Sequence, residues 1–305
     1  MHIELNKRIV AARDAESILA MVQSEHGAFN AVNAATAFNR LAKLRQSSRS
    51  LTIDDRRVQT LLATVTRVSA AMRGQEVANT MWALATLGWQ AGEGAMRCAL
   101  EGAAVRVAPS MNAQNVANTV WAAATLGWQA SAEMVDVFGS LVGAMVRDCG
   151  WMQLSTSHLS QLLQAHLASQ YLGLGLVTLP TSILQVAVNA RMEKVREVTV
   201  SNSQREVGES LRRLGIPHEL EYITADGLFS IDLAVVDRRI AVEFDGPSHF
   251  TTNTLEPLGH TRLRDRLLSA MGWHVVSIPF FEWDGLRRTD ERDAYVERRV
   301  HRARG

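Results

Sequence analysis

The chain has 305 residues, 47% of them apolar, and a formal net charge of +1. That length exceeds most single domains and the apolar fraction supplies an ample core, so two domains, or a repeat array joined to one domain, are expected. A near-neutral chain exerts no general pull on nucleic acid, which excludes binding by bulk charge and leaves only local patches. Cys98 and Cys149 lie far apart with no CxxC partner, which argues against a disulfide scaffold or a thiolate zinc site and suits a reducing compartment. No apolar run approaches the roughly eighteen residues of a membrane span, so a soluble protein with no membrane partner is expected. The first residues, Met1 to Arg8, lack the apolar stretch of a secretory signal, and the early Glu4, Asp14, Glu16 and Glu25 break the acid-poor pattern of a transit peptide.

The first half contains a repeat. Val77-Ala78-Asn79-Thr80-Met81-Trp82-Ala83-Leu84-Ala85-Thr86-Leu87-Gly88-Trp89-Gln90-Ala91 returns, mostly identical, over Val116 to Ala130 at a spacing of 39 residues. Weaker copies, Ala35 to Leu44 and Leu159 to Ala168, flank the pair at spacings of 43, as expected of the atypical ends of a stack. Within a copy Val77, Met81, Leu84 and Gly88 follow helical spacing, and Gly88 with polar Gln90 ends the helix. A second periodic stretch follows each copy: Met96, Ala99, Leu100, Ala103 and Val107 in one, Met134, Phe138, Leu141 and Met145 in the next. Each unit is therefore two helices in about forty residues, the size of an α-solenoid repeat. A single unit cannot bury its apolar face alone, so three or four of them stack.

Two readings stand for the repeated Asn79, Asn118, Trp82 and Trp121. They are packing and capping positions common to every unit, or one polar position per repeat reads one base of RNA. Trp89 and Trp128 divide in the same way between core and base stacking. Residues 74 to 184 carry Arg97, Arg106 and Arg147 against six acids, whereas Arg40, Lys43, Arg45, Arg49, Arg56, Arg57, Arg67 and Arg73 precede them. That basic flank is either the phosphate contact or a solvated helix face.

After the repeats, Tyr171 to Pro180 crosses between helices, Ile183 to Glu197 forms another helix, and a domain boundary is expected over Thr199 to Ser203. Ser203-Gln204-Arg205-Glu206 has the form of a capping box, which assigns Glu206 to capping a helix that Gly215 closes. Strands are expected at about 218 to 224, 228 to 236 and 239 to 245, a helix at 258 to 271, a strand over Trp273 to Pro279 and a helix at 289 to 302. This αβββαβα order is that of a mixed α/β domain. If the hairpin turns on Asp237-Arg238, Asp232 faces Glu243 across the strands. Opposed like charges destabilise a sheet unless something neutralises them, and a divalent metal ion is a candidate. Asp245 shares the face of Glu243, so three carboxylates meet beside His249.

At this point the residues carry a resemblance. Leu211-Arg212-Arg213-Leu214-Gly215, Ile231-Asp232-Leu233-Ala234, Ile240 to Phe250 and Leu267 to Trp283 resemble the RAP domain over about residues 200 to 300, and the repeated helix is similar to octotricopeptide repeats. The RAP domain in turn resembles the PD-(D/E)xK nuclease superfamily, near the very-short-patch repair endonucleases. On that pattern Asp232 and Glu243 are metal ligands and His249 lies where a general base acts. The chain departs from it where Asp245 replaces the superfamily's lysine and Gln204 a helical Glu.

These readings give residues 1–198 as an α-solenoid of helix pairs and 199–305 as a mixed-sheet, restriction-endonuclease-like α/β domain. The resemblance implies a protein that binds single-stranded RNA, works with ribonucleoprotein partners in RNA stability, processing, splicing or translation, and resides in a mitochondrion or chloroplast. A bacterial cytoplasm or delivery into a host remains open from the residues themselves. Arg262, Arg264 and Arg266 either meet phosphates or form a solvated helix face. Two other functions stand beside RNA binding. In one, Asp232, Glu243 and Asp245 hold Mg²⁺ or Mn²⁺ and His249 moves a proton in a metal-dependent endoribonuclease. In the other, a non-catalytic scaffold keeps the strand carboxylates bonded to arginines.

Overall fold

The computed structural model describes residues 2–45, 51–89, 94–148, 150–196, 200–251 and 254–302. Arg49, Gln90, Cys149 and the boundary expected at 198–199 lie outside them. The chain divides into two compact units, one of Met1–Ala187 with Thr251–Leu263 and one of Val188–Phe250 with Arg264–Gly305.

The first unit is built from helices α1 (His2–Ala11), α2 (Ala15–Glu25), α3 (Ala31–Lys43), α4 (Arg56–Val68), α5 (Gly74–Leu87), α6 (Ala95–Val107), α7 (Ala113–Leu126), α8 (Ala132–Arg147), α9 (Thr156–Tyr171) and the start of α10 (Thr181–Arg196). The odd-numbered helices α1 to α9 pack one on the next, and so do α2, α4, α6 and α8. Two layers of stacked helices result, an α-solenoid. The repeated stretches are α5 and α7, and the weaker copies fall on α3 and α9.

The composition of the repeat explains its packing. Ala78, Ala83 and Ala85 of α5 and Ala117, Ala122, Ala123 and Ala124 of α7 are fully buried, and such small side chains let neighbouring helices approach closely. Gly74 is tighter still, since a Cβ there would lie 2.9 Å from Cγ of Met111. Both helices end on a left-handed glycine, Gly88 at φ 68° and Gly127 at φ 72°. The following N–H groups close the Schellman pattern, Trp89 to Leu84 O at 3.1 Å and Trp128 to Ala123 O at 2.9 Å. The apolar residue after the glycine folds back in that motif, so Trp89 and Trp128 are core, and Trp89 meets Phe38 edge-on at 6.4 Å.

Several arginines of the basic flank are engaged within the chain. Arg40 donates to Ala12 O, Arg45 to Ala42 O, and Arg57 to Asp55 and Glu16. Arg67 on α4 donates to His26 O at 3.0 Å and Phe29 O at 3.1 Å, and Arg106 on α6 makes the same pair one repeat on, to Ser69 O at 3.1 Å and Met72 O at 2.9 Å. Each arginine satisfies the carbonyls of the turn between one helix pair and the next. Lys43, Arg56, Arg67 and Arg73 are exposed, so phosphate contact by the flank, among described residues, is open to these four.

The second unit holds the end of α10, α11 (Asn202–Arg213), β1 (Glu219–Ile223), β2 (Ser230–Val235), β3 (Ile240–Asp245), most of α12 (Gly259–Ala270), β4 (His274–Pro279), α13 (Phe280–Trp283) and α14 (Thr289–Arg302). The sheet order is β1-β2-β3-β4, with β3 and β4 parallel and the other pairs antiparallel. The β2–β3 register is the expected one, Leu233↔Val242, Ala234↔Ala241 and Val235↔Ile240. The connection is wider than a two-residue turn, however: a 3₁₀ turn over Val236–Arg238 with Arg239 at φ 54°. Alternation then sorts the strands. Leu233, Val235, Ile240, Val242, Val276 and Ile278 meet Val207 and Leu211 of α11 and Val296 and Val300 of α14 in one core, each fully buried side chain contributing about 1.5–3 kcal/mol. The polar residues are left on the opposite face.

The cap of α11 lies two residues earlier than expected. Ser201 accepts from Gln204 N at 3.1 Å and Gln204 Oε1 accepts from Ser201 N, so the box is Ser201 with Gln204. Glu206 instead accepts from Trp283 Nε1 at 3.1 Å and Arg292 at 2.9 Å, tying α11 to α13 and α14.

If the turn arginines hold the stack, Arg106→Ala lowers stability by about 1–3 kcal/mol, whereas Arg73→Ala at an exposed position leaves it within about 0.5 kcal/mol. Urea unfolding of the two variants beside the parent measures both.

Candidate functional site

The polar face of the sheet carries a row of carboxylates that crosses three strands. The pairs Leu220↔Leu233 and Tyr222↔Ile231 bracket Glu221 and Asp232, and continuing the β2–β3 register by one residue sets Asp232 beside Glu243. Glu221, the member that sequence reading missed, becomes visible only once β1 is paired with β2 through the Thr224–Phe229 turn. There Asp226 accepts from Thr224 Oγ1 at 2.6 Å and Leu228 N at 3.0 Å, and Gly227 takes φ 72°. Glu221 itself sits at φ 49°, a strained value for a non-glycine residue.

Three neighbouring carboxylates need compensation, and Arg264 of α12 supplies it. Its guanidinium lies 2.7 Å from Glu243 Oε2 and donates to Ser230 O at 2.7 Å. Glu243 is 2% exposed, and its Oε1 has no hydrogen-bond partner among the described residues. Burial raises its carboxyl well above the usual range, with Arg264 opposing and Asp232 and Asp245 adding to the rise. Burial also raises Asp232, which accepts from Phe244 N at 2.8 Å, and Glu221, held by Ser230 Oγ at 2.8 Å and Gln204 Nε2 at 3.1 Å. These groups line a cavity of about 270 Å³ together with Arg191, Lys194, Val195, Phe244 and His249.

Asp245 is on the same face of β3, yet it does not line this cavity. It is 3% exposed, takes a bond of 2.5 Å from Ser277 Oγ and holds His249 Nδ1 at 3.1 Å. It therefore orients the histidine. Asp265 on α12 is pushed up to about 6, by burial first and then by Asp245, with Arg264 and His249 opposing.

This arrangement does not fit the expected metal centre. Arg264 takes the electrostatic role proposed for the ion, and among the described residues no three His, Cys, Asp or Glu groups form a cluster that could hold a metal.

The other expected site residues are dispersed. Asn79 and Asn118 are half-exposed on α5 and α7, Trp82 is half-buried, and Trp121 is buried with its Nε1–H donating to Gln164 at 2.8 Å. Trp121 is thus a packing residue that joins α7 to α9. Arg262, in the first unit, donates to Gly88 O at 3.2 Å and pairs with Glu256 at 2.6 Å. Arg266 is half-buried, and burial lowers its pKa. The three arginines expected as one phosphate patch therefore have separate surroundings, and Arg264 belongs to the carboxylate row.

Residues 242–299, which run from β3 through α12 and β4 into α14, match the RAP domain family. The chain contains a RAP domain. A chloroplastic RAP domain-containing protein of Oryza sativa subsp. japonica is 39% identical over 108 residues, 35% of this chain and 17% of the rice protein. The mitochondrial FAST kinase domain-containing protein 3 of Homo sapiens is 34% identical over 65 residues, 21% of this chain and 10% of the human protein. The chain spans less than a fifth of either relative. Within the RAP match lie Glu243, Asp245, His249 and Arg264, whereas Glu221, Asp232, Gln204 and Arg191 come from residues before it.

Two outcomes test this electrostatic reading. Arg264→Met strands a buried carboxylate and lowers stability by about 3–5 kcal/mol, while adding Glu243→Leu recovers much of that loss; denaturant midpoints of the single and double variants decide it. For Asp265 the folded pKa is raised, so the folded state holds the proton more tightly and stability falls as pH rises from about 4 to 6. Asp265→Asn then raises the Tm at pH 7, by up to about 3 kcal/mol in stability, and the gain disappears at pH 4 in paired thermal scans.

Proposed function

We propose that this chain is an RNA-binding protein of organellar post-transcriptional control, holding a short single-stranded RNA along the odd-numbered helices. The observation that carries the reading is a row of polar side chains at equivalent repeat positions. Thr36 on α3, Asn79 on α5, Asn118 on α7 and Gln161 on α9 are all half-exposed, and Gln75 and Gln114 lie exposed one turn before the two asparagines. Residues four apart share a helix face, so each central repeat offers two amide side chains to one strand. Amides donate and accept, as single-stranded base edges require, and reading one base per helical repeat with two or three side chains is a known mode of RNA recognition.

The RAP resemblance, which implies RNA binding, supports the same reading, and the chloroplastic and mitochondrial relatives support an organellar setting. With few exposed cations on the described central repeats, the affinity rests on base contacts more than on phosphates, so its salt dependence is shallow. The endoribonuclease reading keeps Asp232, Glu243 and the oriented His249 in its favour, but Arg264 occupies its centre.

Selection from a random single-stranded RNA pool tests the proposal. An enriched motif of about three to five nucleotides is expected, and Asn79→Ala with Asn118→Ala weakens binding to it about tenfold or more while leaving the Tm unchanged. No enriched sequence, or enrichment that survives the double substitution, refutes base reading by these helices.

A further inference from the structure

We propose that the cavity on the polar face of the RAP unit binds one guanine nucleotide, a deepening of the RNA-binding reading above. Its volume, about 270 Å³, is room for roughly nine waters at about 30 Å³ each. A single cation would leave most of that space unfilled, whereas a nucleoside occupies it. The floor holds the carboxyl groups of Glu221, Asp232 and Glu243, while the Gln204 amide is engaged with Ser201 and Glu221. Glu243 Oε1 is buried with no hydrogen-bond partner among the described residues, and an unsatisfied buried polar atom costs about 1–3 kcal/mol. A ligand suited to this floor presents several N–H groups along one edge. Guanine does so through N1–H and the N2 amino group, and it offers a carbonyl acceptor, O6, beside them.

The rest of the lining fits the remainder of a nucleotide. Phe244 contributes its backbone edge to the wall, its N–H donating to Asp232 at 2.8 Å. Arg191 is fixed at one wall by its bond to Leu228 O at 2.8 Å and by Phe229, whose ring centre is 5.6 Å away. The exposed Lys194 stands one turn along the same helix. These two cations give the rim a positive edge for a phosphate, and Arg264 stays engaged below with Glu243. Uracil lacks the paired N–H edge, and cytosine and adenine each offer a single amino group there.

Calorimetric titration of the full chain with GMP, IMP, AMP, CMP, UMP and guanosine tests the assignment, with binding to the selected RNA measured on the same samples. GMP is expected to bind at least tenfold tighter than UMP, IMP to lose about tenfold for want of its amino group, and guanosine to lose several-fold. Asp232→Asn weakens GMP about tenfold. Lys194→Ala, an exposed change that leaves folding intact, weakens GMP but not guanosine. RNA binding through Asn79 and Asn118 persists in both variants, so loss of GMP binding with retained RNA binding separates the two proposals. Equal binding of GMP and UMP, no GMP binding at millimolar concentration, or a rise in Tm with Mn²⁺ but none with GMP overturns the assignment.

Discussion

The buried pair of Glu243 and Arg264 is the contact on which the RAP unit turns. A sheet that sets Glu221, Asp232 and Glu243 side by side carries a repulsion that grows as the site dries, because Coulomb forces strengthen as the dielectric falls. One guanidinium cannot neutralise three carboxylates. It pairs with Glu243, and burial shifts all three toward protonation. The second half of α12 is thereby held to the polar face by charge, and α11 and α14 are held to the other face by apolar burial. The two faces of a single sheet are thus held by different forces, one by apolar burial and the other by charge.

The strain at Glu221 belongs to the same account. A non-glycine residue at φ 49° persists only where its surroundings outweigh the cost. Here its carboxylate is gripped by Ser230 and Gln204, and Gln204 is itself locked by the cap of α11. Gln204 is thus a bridge between a helix cap and a strand. The polar groups of this face are bonded chiefly to one another.

Much of this was legible in the sequence, for reasons that differ by element. The repeat declared itself by identity, and both glycines that end its helices follow from a backbone need only glycine meets cheaply. The β2–β3 register follows from a period of two, which admits no drift over six residues, so Asp232 and Glu243 were placed correctly. What could not be read was whatever depends on long-range partners. Nothing local shows that Arg264 lies on Glu243 or that Glu221 completes the row. Asp245 shares the right face, but Ser277 and His249 claim it. The basic flank misled because arginine's long side chain reaches backbone carbonyls some thirty to forty residues away, a use that composition cannot separate from surface charge. The cap of α11 lies two residues earlier than expected because Ser201 and Ser203 each have a Gln or Glu three residues on, Gln204 and Glu206, and Glu206 is engaged by Trp283 and Arg292.

The turn arginines carry a final consequence. Arg67 and Arg106 each reach back to the first and fourth residues around the preceding turn, so every joint in that part of the array is closed by the same bond, supplied by the incoming repeat. A repeat inserted or deleted as a whole brings or removes its own fastener and leaves the next joint unchanged. The length of such an array is free to vary over descent without a new packing problem at each step, and with it the length of any linear partner it spans.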